Sequence, residues 1–260
     1  MAIPATRGGG DTPPDAALVR DDFSGPDRLV TNEHAYRDRG IPRSKLWTVT
    51  SGSLFVHDGH GWTGVPDGGS PDKRTPRATG SAIFRVVTKR RDVRDAQIAF
   101  RVMVRGLSTS SRTPDERSFD GVHVMLRYAS PQALYAASVD RRDGAVLIRK
   151  KVPGGPDPAN GGTWMDVGAR AVNAIPVGRW QRVVVRVRDE PDGAVGFRVI
   201  IDGRTVVSAR DDGVGGVAPY TRPGRIGFRC DNADVLLDGV RVTPLVNDSG
   251  PDGDRPVSVP

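Results

Sequence analysis

The sequence predicts an all-β protein, a two-sheet antiparallel β-sandwich of the jelly-roll kind. Three observations predict it. Gly (32) and Pro (21) make up about a fifth of the 260 residues while 37% of residues are hydrophobic, so there is enough apolar surface for a core, cut at short intervals by turn formers. Apolar and polar residues alternate along many short segments, the period of a strand with one buried face. No stretch carries helical spacing over three turns. The length suits one or two domains, and sandwiches of this size occur as one; no internal repeat points to a propeller or solenoid.

The elements follow in order. Residues 1–15 are Gly/Pro-rich and read as a disordered leader, residues 16–246 as one sandwich domain, and residues 247–260 as a flexible tail. Leu18–Phe23 is the first strand. Trp47–Thr50 and Ser53–His57 flank Ser51-Gly52, which reads as a hairpin turn. A Gly/Pro-rich loop runs from Gly59 to about Gly80, long enough to be functional or mobile. Ala96, Ile98, Phe100, Val102 and Val104 alternate with Gln97, Arg101 and Arg105. Val122, Val124 and Leu126 likewise oppose His123, Met125 and Arg127. Leu134–Arg141, Ala145–Val152, Arg182–Arg188, Val195–Asp202, Thr205–Arg210 and Arg225–Cys230 follow, divided by turn signals such as Arg142-Asp143-Gly144, Pro191-Asp192-Gly193 and Asp202-Gly203. The last strand, Val235–Val242, shifts phase near Asp238-Gly239, which predicts a bulge. More than ten strands with one apolar face each need two sheets packed face to face.

Charge and composition narrow the partners. The net charge of +7 favours polyanions, but it is spread as single arginines without the like-charge block of a nucleic-acid arm; Lys89-Arg90-Arg91 reads as a solvated turn. No run is long enough to span a membrane, and the chain is expected to be monomeric. Cys230 is the one cysteine, so no intramolecular disulfide forms, and its alternation with Ile226 and Phe228 predicts burial. Met1–Pro14 lacks a basic region followed by an apolar core, so it does not read as a signal peptide. That places the protein in the cytoplasm if this N-terminus is native and outside the cell if it is trimmed.

Several segments, in this order, carry a resemblance: Asp22-Phe23-Ser24; Trp47-Thr48-Val49 and Ser51-Gly52-Ser53-Leu54; Trp180-Gln181 leading into Val183-Val184-Val185; Ile201-Asp202-Gly203; Gly224-Arg225-Ile226-Gly227-Phe228; and Leu237-Asp238-Gly239-Val240-Arg241-Val242. Over roughly residues 18–243 the chain resembles the concanavalin A-like lectin/glucanase superfamily, in its laminin-G-like bacterial branch. The resemblance implies a jelly roll, often a structural calcium ion, and glycan binding or cleavage, without fixing one reaction. The glycosidases of that superfamily carry a Glu-x-Asp-x-x-Glu strand. Here the glutamates are Glu33, Glu116 and Glu190, none at that spacing, and no carboxyl pair about 5 Å apart is evident on one strand face.

Candidate residues follow from alternation and from the resemblance. If Val122, Val124 and Leu126 face the core, His123 and Arg127 share the opposite face, with Arg101 and Arg85 nearby and Tyr135 on the next strand. Uronic-acid lyases in the superfamily use such residues: an Arg neutralises the substrate carboxylate, a Tyr or His removes the adjacent proton, and a Tyr protonates the leaving oxygen. His123, Tyr135, Arg127 and Arg85 are therefore the catalytic candidates, weighed against His123 as an ordinary strand residue and Tyr135 as core filler. Arg101, Arg141, Trp62 and Trp164 are the substrate-binding candidates, since sugars stack on aromatic faces, although both tryptophans can equally anchor their loops. Pairing of the terminal strands would bring Asp21 or Asp22 towards Asp238, and the resemblance implies a structural calcium there, with Asp22 and Asp238 as the candidate ligands. His57-Asp58-Gly59-His60 supplies two histidines but no third ligand for a closed zinc site. Val152-Pro153-Gly154-Gly155-Pro156 and Asn160-Gly161-Gly162 read as turns edging a cleft, not as phosphate loops. The leading function is action on an acidic polysaccharide or oligosaccharide, by β-elimination if the chain is catalytic. The alternatives are a non-catalytic carbohydrate-binding module, a hydrolase using aspartates, and a laminin-G-type recognition domain.

Overall fold

A computed structural model describes residues 17–72, 77–154 and 161–245. The leader, the tail, Gly155, Pro156 and Asn160 lie outside these residues. The described chain forms two antiparallel sheets and, apart from one short 3-10 turn at Val214–Gly216, no helix. No helix among the described residues is long and apolar enough to cross a membrane.

The larger sheet contains β1 (Val19–Asp21), β2 (Arg28–Asn32), β4 (Ser53–His57), β5 (His60–Trp62), β7 (Ala96–Leu107), β12 (Gln181–Asp189), β13 (Val195–Ile201), β14 (Arg204–Asp211) and β16 (Ala233–Pro244). Its order is β14-β13-β12-β7-β16-β5-β4-β2, with β1 also paired to β16. The smaller sheet contains β3 (Trp47–Ser51), β6 (Ile83–Thr88), β8 (Gly121–Ser130), β9 (Ala133–Arg141), β10 (Ala145–Pro153), β11 (Gly162–Val172) and β15 (Arg225–Asp231). Its order is β11-β10-β9-β8-β15-β6-β3.

One core lies between the sheets. Ile98, Phe100 and Val102 from β7 and Val183, Val185 and Val187 from β12 meet Val122, Val124 and Leu126 from β8 and Ile226, Phe228 and Cys230 from β15. These are the alternating positions of the sequence. Cys230 is fully buried, and burial pushes its thiol well above the usual value, so it acts as a small apolar filler. The phase shift of the last strand appears as a register break between Asp238 and Arg241 against β7.

Two expectations are corrected. Ser51-Gly52 does not close a hairpin: β3 pairs with β6 and β4 pairs with β2 and β5, so the chain crosses from one sheet to the other there. Gly52 adopts φ 78° at this corner, and a Cβ would lie 3.3 Å from the Gly80 carbonyl oxygen. Trp62 and Trp164, expected in loops, lie in β5 and β11; β2 and β6 also escaped the sequence reading. Three of these strands, β2, β5 and β6, are only 3–6 residues long, too short to display a period. The fourth, β11, is longer, but its exposed half mixes Gly, Arg and Ala.

Candidate functional site on the outer face of the smaller sheet

Register defines the site. Arg85 of β6 sits opposite Arg229 of β15, Arg229 opposite His123 of β8, and His123 opposite Ser138 of β9. Directly opposed residues share a face, so these four form a row across neighbouring strands, on the side away from the core. A second row runs beside it through Val87, Gly227, Met125 and Ala136 to Arg149 and Asp166. Val87, Met125 and Leu134 make a small apolar cluster of their own, with Tyr128 and Trp164 packed against it. The face therefore has an apolar floor flanked by cations.

The cations are unequally balanced. Asp231 holds Arg229 in a two-pronged pair, Nε to Oδ2 at 2.7 Å and an Nη to Oδ1 at 2.9 Å. Asp166 holds Arg149, and Asp143 holds Arg141. Arg85 has no ion pair among the described residues, and its Nε is buried without a hydrogen-bond partner. Burial, and then the neighbouring Arg229 charge, lower its pKa from the ordinary guanidinium value, yet an arginine stays charged at neutral pH. Arg85 is half-buried with its Nε enclosed, and the Asp231 carboxylate that attracts it is already held by Arg229, so an anion arriving on this face gives it a charge partner.

His123 is nearly enclosed. Its Nε2 donates to the Phe119 carbonyl oxygen at 2.9 Å, which fixes the tautomer, so Nδ1 accepts from the Ser138 hydroxyl at 2.8 Å. Burial lowers its pKa to about 4, against the pull of Asp231 3.6 Å from Nε2. It is a neutral imidazole with both nitrogens engaged, and it supports the row rather than offering a free base.

Toward one end the face deepens into a pocket of about 400 Å³ lined by Thr48, Thr50, Val87, Arg91, Tyr128 and Arg225, among others. Burial raises the Tyr128 phenol above its usual pKa, against the nearby Arg85 and Arg225 charges. At the opposite side of the sheet the Arg149 guanidinium lies 5.3 Å and the Lys151 ammonium 5.5 Å from the Trp164 ring centre. Arg229, Tyr128, Arg149 and Lys151 escaped the sequence reading because only the strand register brings them beside Arg85 and His123.

Of the predicted residues, the structure gathers Arg85, His123, Arg141 and Trp164 on this face and places the others elsewhere. Arg127 points into the interior: it has φ 48° where the β8–β9 register breaks between Leu126 and Ser130, and such an irregularity re-aims a side chain. Its guanidinium, almost wholly buried, bonds Asp95 at 2.9 Å, Asp189 at 2.8 Å and the carbonyl oxygens of Arg94 and Tyr220. Tyr135 is fully buried in the core, its hydroxyl donating to Asp211 and accepting from the Tyr220 N–H; burial and the Asp211 charge push its pKa far up. Neither side chain reaches the face of His123.

Arg101 and Trp62 belong to the other sheet. Arg101 pairs with Asp238 and lies 5.2 Å from the Trp180 ring centre; the Trp62 indole N–H donates to Asp234 at 2.7 Å. The terminal strands do pair, Asp21 opposite Val240, but Asp22 accepts from the Ser24 N–H while Asp238 is taken by Arg101. The two carboxylates do not share a cluster of possible ligands among the described residues. Each carboxylate is thus engaged by a group of this chain.

No protein-family model matches this chain, and no curated protein matches it by sequence. Solved structures do share its fold. A Bacillus subtilis protein of unknown function with a galectin-like fold is 12% identical, over 88% of this chain and 96% of that one, at a TM-score of 0.53. A structure described under endo-acting O-glycanases, which prominent members of the human gut microbiota express to initiate mucin breakdown, is 10% identical, over 89% of this chain and all of that one, at 0.52. An alginate lyase is 9% identical, over 87% and 96%, at 0.48. At these identities the likeness to the first two establishes the sandwich fold.

Proposed function

We propose that the outer face of the smaller sheet binds an acidic carbohydrate. The single observation that carries this reading is Arg85: a half-buried cation beside a second cation, its Nε enclosed without a hydrogen-bond partner and with no ion pair of its own among the described residues. The apolar floor of Val87, Met125 and Leu134 suits the C–H surface of a sugar ring, and Trp164 offers an aromatic edge for the same purpose. The ligand's anionic group belongs at Arg85, where a planar carboxylate can accept two hydrogen bonds. The mucin-directed neighbour agrees with a carbohydrate ligand without specifying one.

Arg85→Met tests the reading because function and folding make opposite predictions. Binding of a uronate polymer, followed by calorimetry at low salt, is expected to weaken at least tenfold, about 1.4 kcal/mol or more. Stability in urea is expected to hold or rise, since a half-buried guanidinium with no ion pair is replaced by an apolar chain of similar reach. Unchanged affinity would remove Arg85 from the site, and no affinity of the unaltered protein for any uronate polymer would remove the reading.

A second reading, β-elimination, is favoured by one observation: the Tyr128 phenol stands in the pocket beside Arg225 and near Arg85, protonated at neutral pH and able to donate to a leaving oxygen. It predicts ultraviolet absorbance from an unsaturated uronate together with new reducing ends, both lost in Tyr128→Phe. Reducing ends without the absorbance would mean hydrolysis; binding without either leaves the protein a carbohydrate-binding module.

A further inference from the structure

The β4–β5 hairpin lies on the larger sheet, away from the Arg85 face, and carries a group that carbohydrate binding does not use. His57 ends β4 and His60 begins β5. Between them Asp58 and Gly59 turn the chain with φ 50° and 76°, the backbone of a two-residue hairpin turn. The His57 Nδ1 lies 2.8 Å from Asp27 Oδ2, and Asp27 Oδ1 accepts the Asp58 N–H at 2.8 Å. One carboxylate thus fixes both the imidazole and the turn. The other ring nitrogen, Nε2, lies 3.6 Å from Asp58 Oδ2.

A neutral imidazole carries one N–H. The short contact to Asp27 assigns that hydrogen to Nδ1, and the Nε2 lone pair then faces a carboxylate oxygen, which is repulsive unless a proton or a metal ion stands between them. Their separation is close to the ~3.4 Å expected of two ligands each ~2.1 Å from one tetrahedral ion. A carboxylate receiving the Nδ1 hydrogen while Nε2 takes a metal is the usual way a ligating histidine is oriented. Oxygen atoms of both carboxylates and a ring nitrogen lie within 4.8 Å of one another.

We propose that this hairpin is a binding site for a divalent transition-metal ion of the zinc or nickel type. His57 Nε2 and the Asp58 carboxylate ligate it, Asp27 orients the imidazole, and water fills the remaining positions. Imidazole with carboxylate suits such ions better than calcium, which takes six to eight oxygens. Two carboxylates around a neutral ring make the occupied site electrically neutral. Asp58 is open to solvent and His57 partly so, so the ion can exchange with solution.

The His57 ring centre is 4.9 Å from that of Trp62, which supplies the readout. Nickel titrated into the full chain is expected to quench tryptophan fluorescence saturably, and calorimetry with zinc is expected to give one equivalent. His57→Ala and Asp58→Asn should each weaken binding at least tenfold. Asn tolerates the left-handed backbone, so the turn survives the second change. Asp27→Asn should weaken it by about ten- to a hundredfold, and His60→Ala should leave it unchanged. Absence of saturable binding up to millimolar metal, or equal affinity in all four variants, overturns the proposal; dependence on His60 in place of Asp58 overturns the ligand assignment.

Discussion

Lys150→Met is expected to destabilise the protein by about 3–5 kcal/mol, the cost of breaking one partner out of a buried ion pair. Lys150 and Asp211 are both fully buried, with Nζ 2.8 Å from Oδ2. The ammonium also donates to the carbonyl oxygens of Val217 and Ala218 and lies 5.1 Å from the Tyr220 ring centre. Asp211 in turn accepts from the Tyr135 hydroxyl and from the N–H groups of Gly213 and Val214. Burial alone would raise the Asp211 pKa, but the bonds from Lys150, Tyr135 and these N–H groups outweigh it and leave the carboxyl lowered, so it stays ionised. The network joins β10 in one sheet to the end of β14 in the other and fixes the turn that follows β14, where secondary structure supplies few bonds. Removing the ammonium strands a carboxylate and two carbonyl oxygens at once. The urea midpoint is the measurement, with a fall in Tm of roughly 10 °C as its thermal counterpart. Lys150→Met with Asp211→Leu should recover part of the loss, because no charge is then left alone. A single-variant loss below about 1 kcal/mol would mean that water reaches the site and that the network does not hold the sheets.

The same network shows where reading the sequence stops. Alternation in β7, β8, β12 and β15 gave the core and its faces correctly, because each strand shows one hydrophobic residue in two. It failed at Arg127, where a positive φ breaks the period, and at Tyr135, where Leu134, Tyr135, Ala136 and Ala137 are all apolar and no period exists. It failed across the sheet crossing at Ser51-Gly52, which is locally indistinguishable from a hairpin and which sends Trp62 to the face opposite His123. Arg85 and His123 were legible as candidates by type. Their actual neighbour Arg229 was not, since β15 inserts between β6 and β8 from far along the chain. Strand order is a property of the whole fold, and the site is made of strand order.

Asp140 and His123 are expected to pull stability in opposite directions with pH, and separating them should expose slopes that the unaltered protein conceals. Asp140 is almost wholly buried. Burial, and then the Asp202 charge, raise its pKa from 3.8 to about 7. With its amide turned so that the nitrogen faces the carboxyl, Gln181 donates to both oxygens at 2.9 and 3.0 Å and accepts from Asn173, and these bonds work against that rise. The unfolded chain releases this proton near pH 4 and the folded one near pH 7, so stability falls as pH rises through that window, by about 4 kcal/mol in all. His123 behaves conversely. Its folded pKa of about 4 lies below the unfolded 6.5, so its contribution is full above pH 6.5 and about 3 kcal/mol is lost as pH falls towards 4. Between about pH 4 and 6.5 the two slopes nearly cancel. In Asp140→Asn the urea midpoint should fall steeply on acidification over that range and stand above that of the unaltered protein at pH 8. In His123→Gln, whose amide can still meet Phe119 and Ser138, the midpoint should instead rise on acidification. An Asp140→Asn profile parallel to the original would mean that this carboxyl ionises at its ordinary pH and that solvent reaches the end of the sandwich. A parallel His123→Gln profile would mean that the imidazole accepts a proton while folded, which would return it to the Arg85 face as a titrating group.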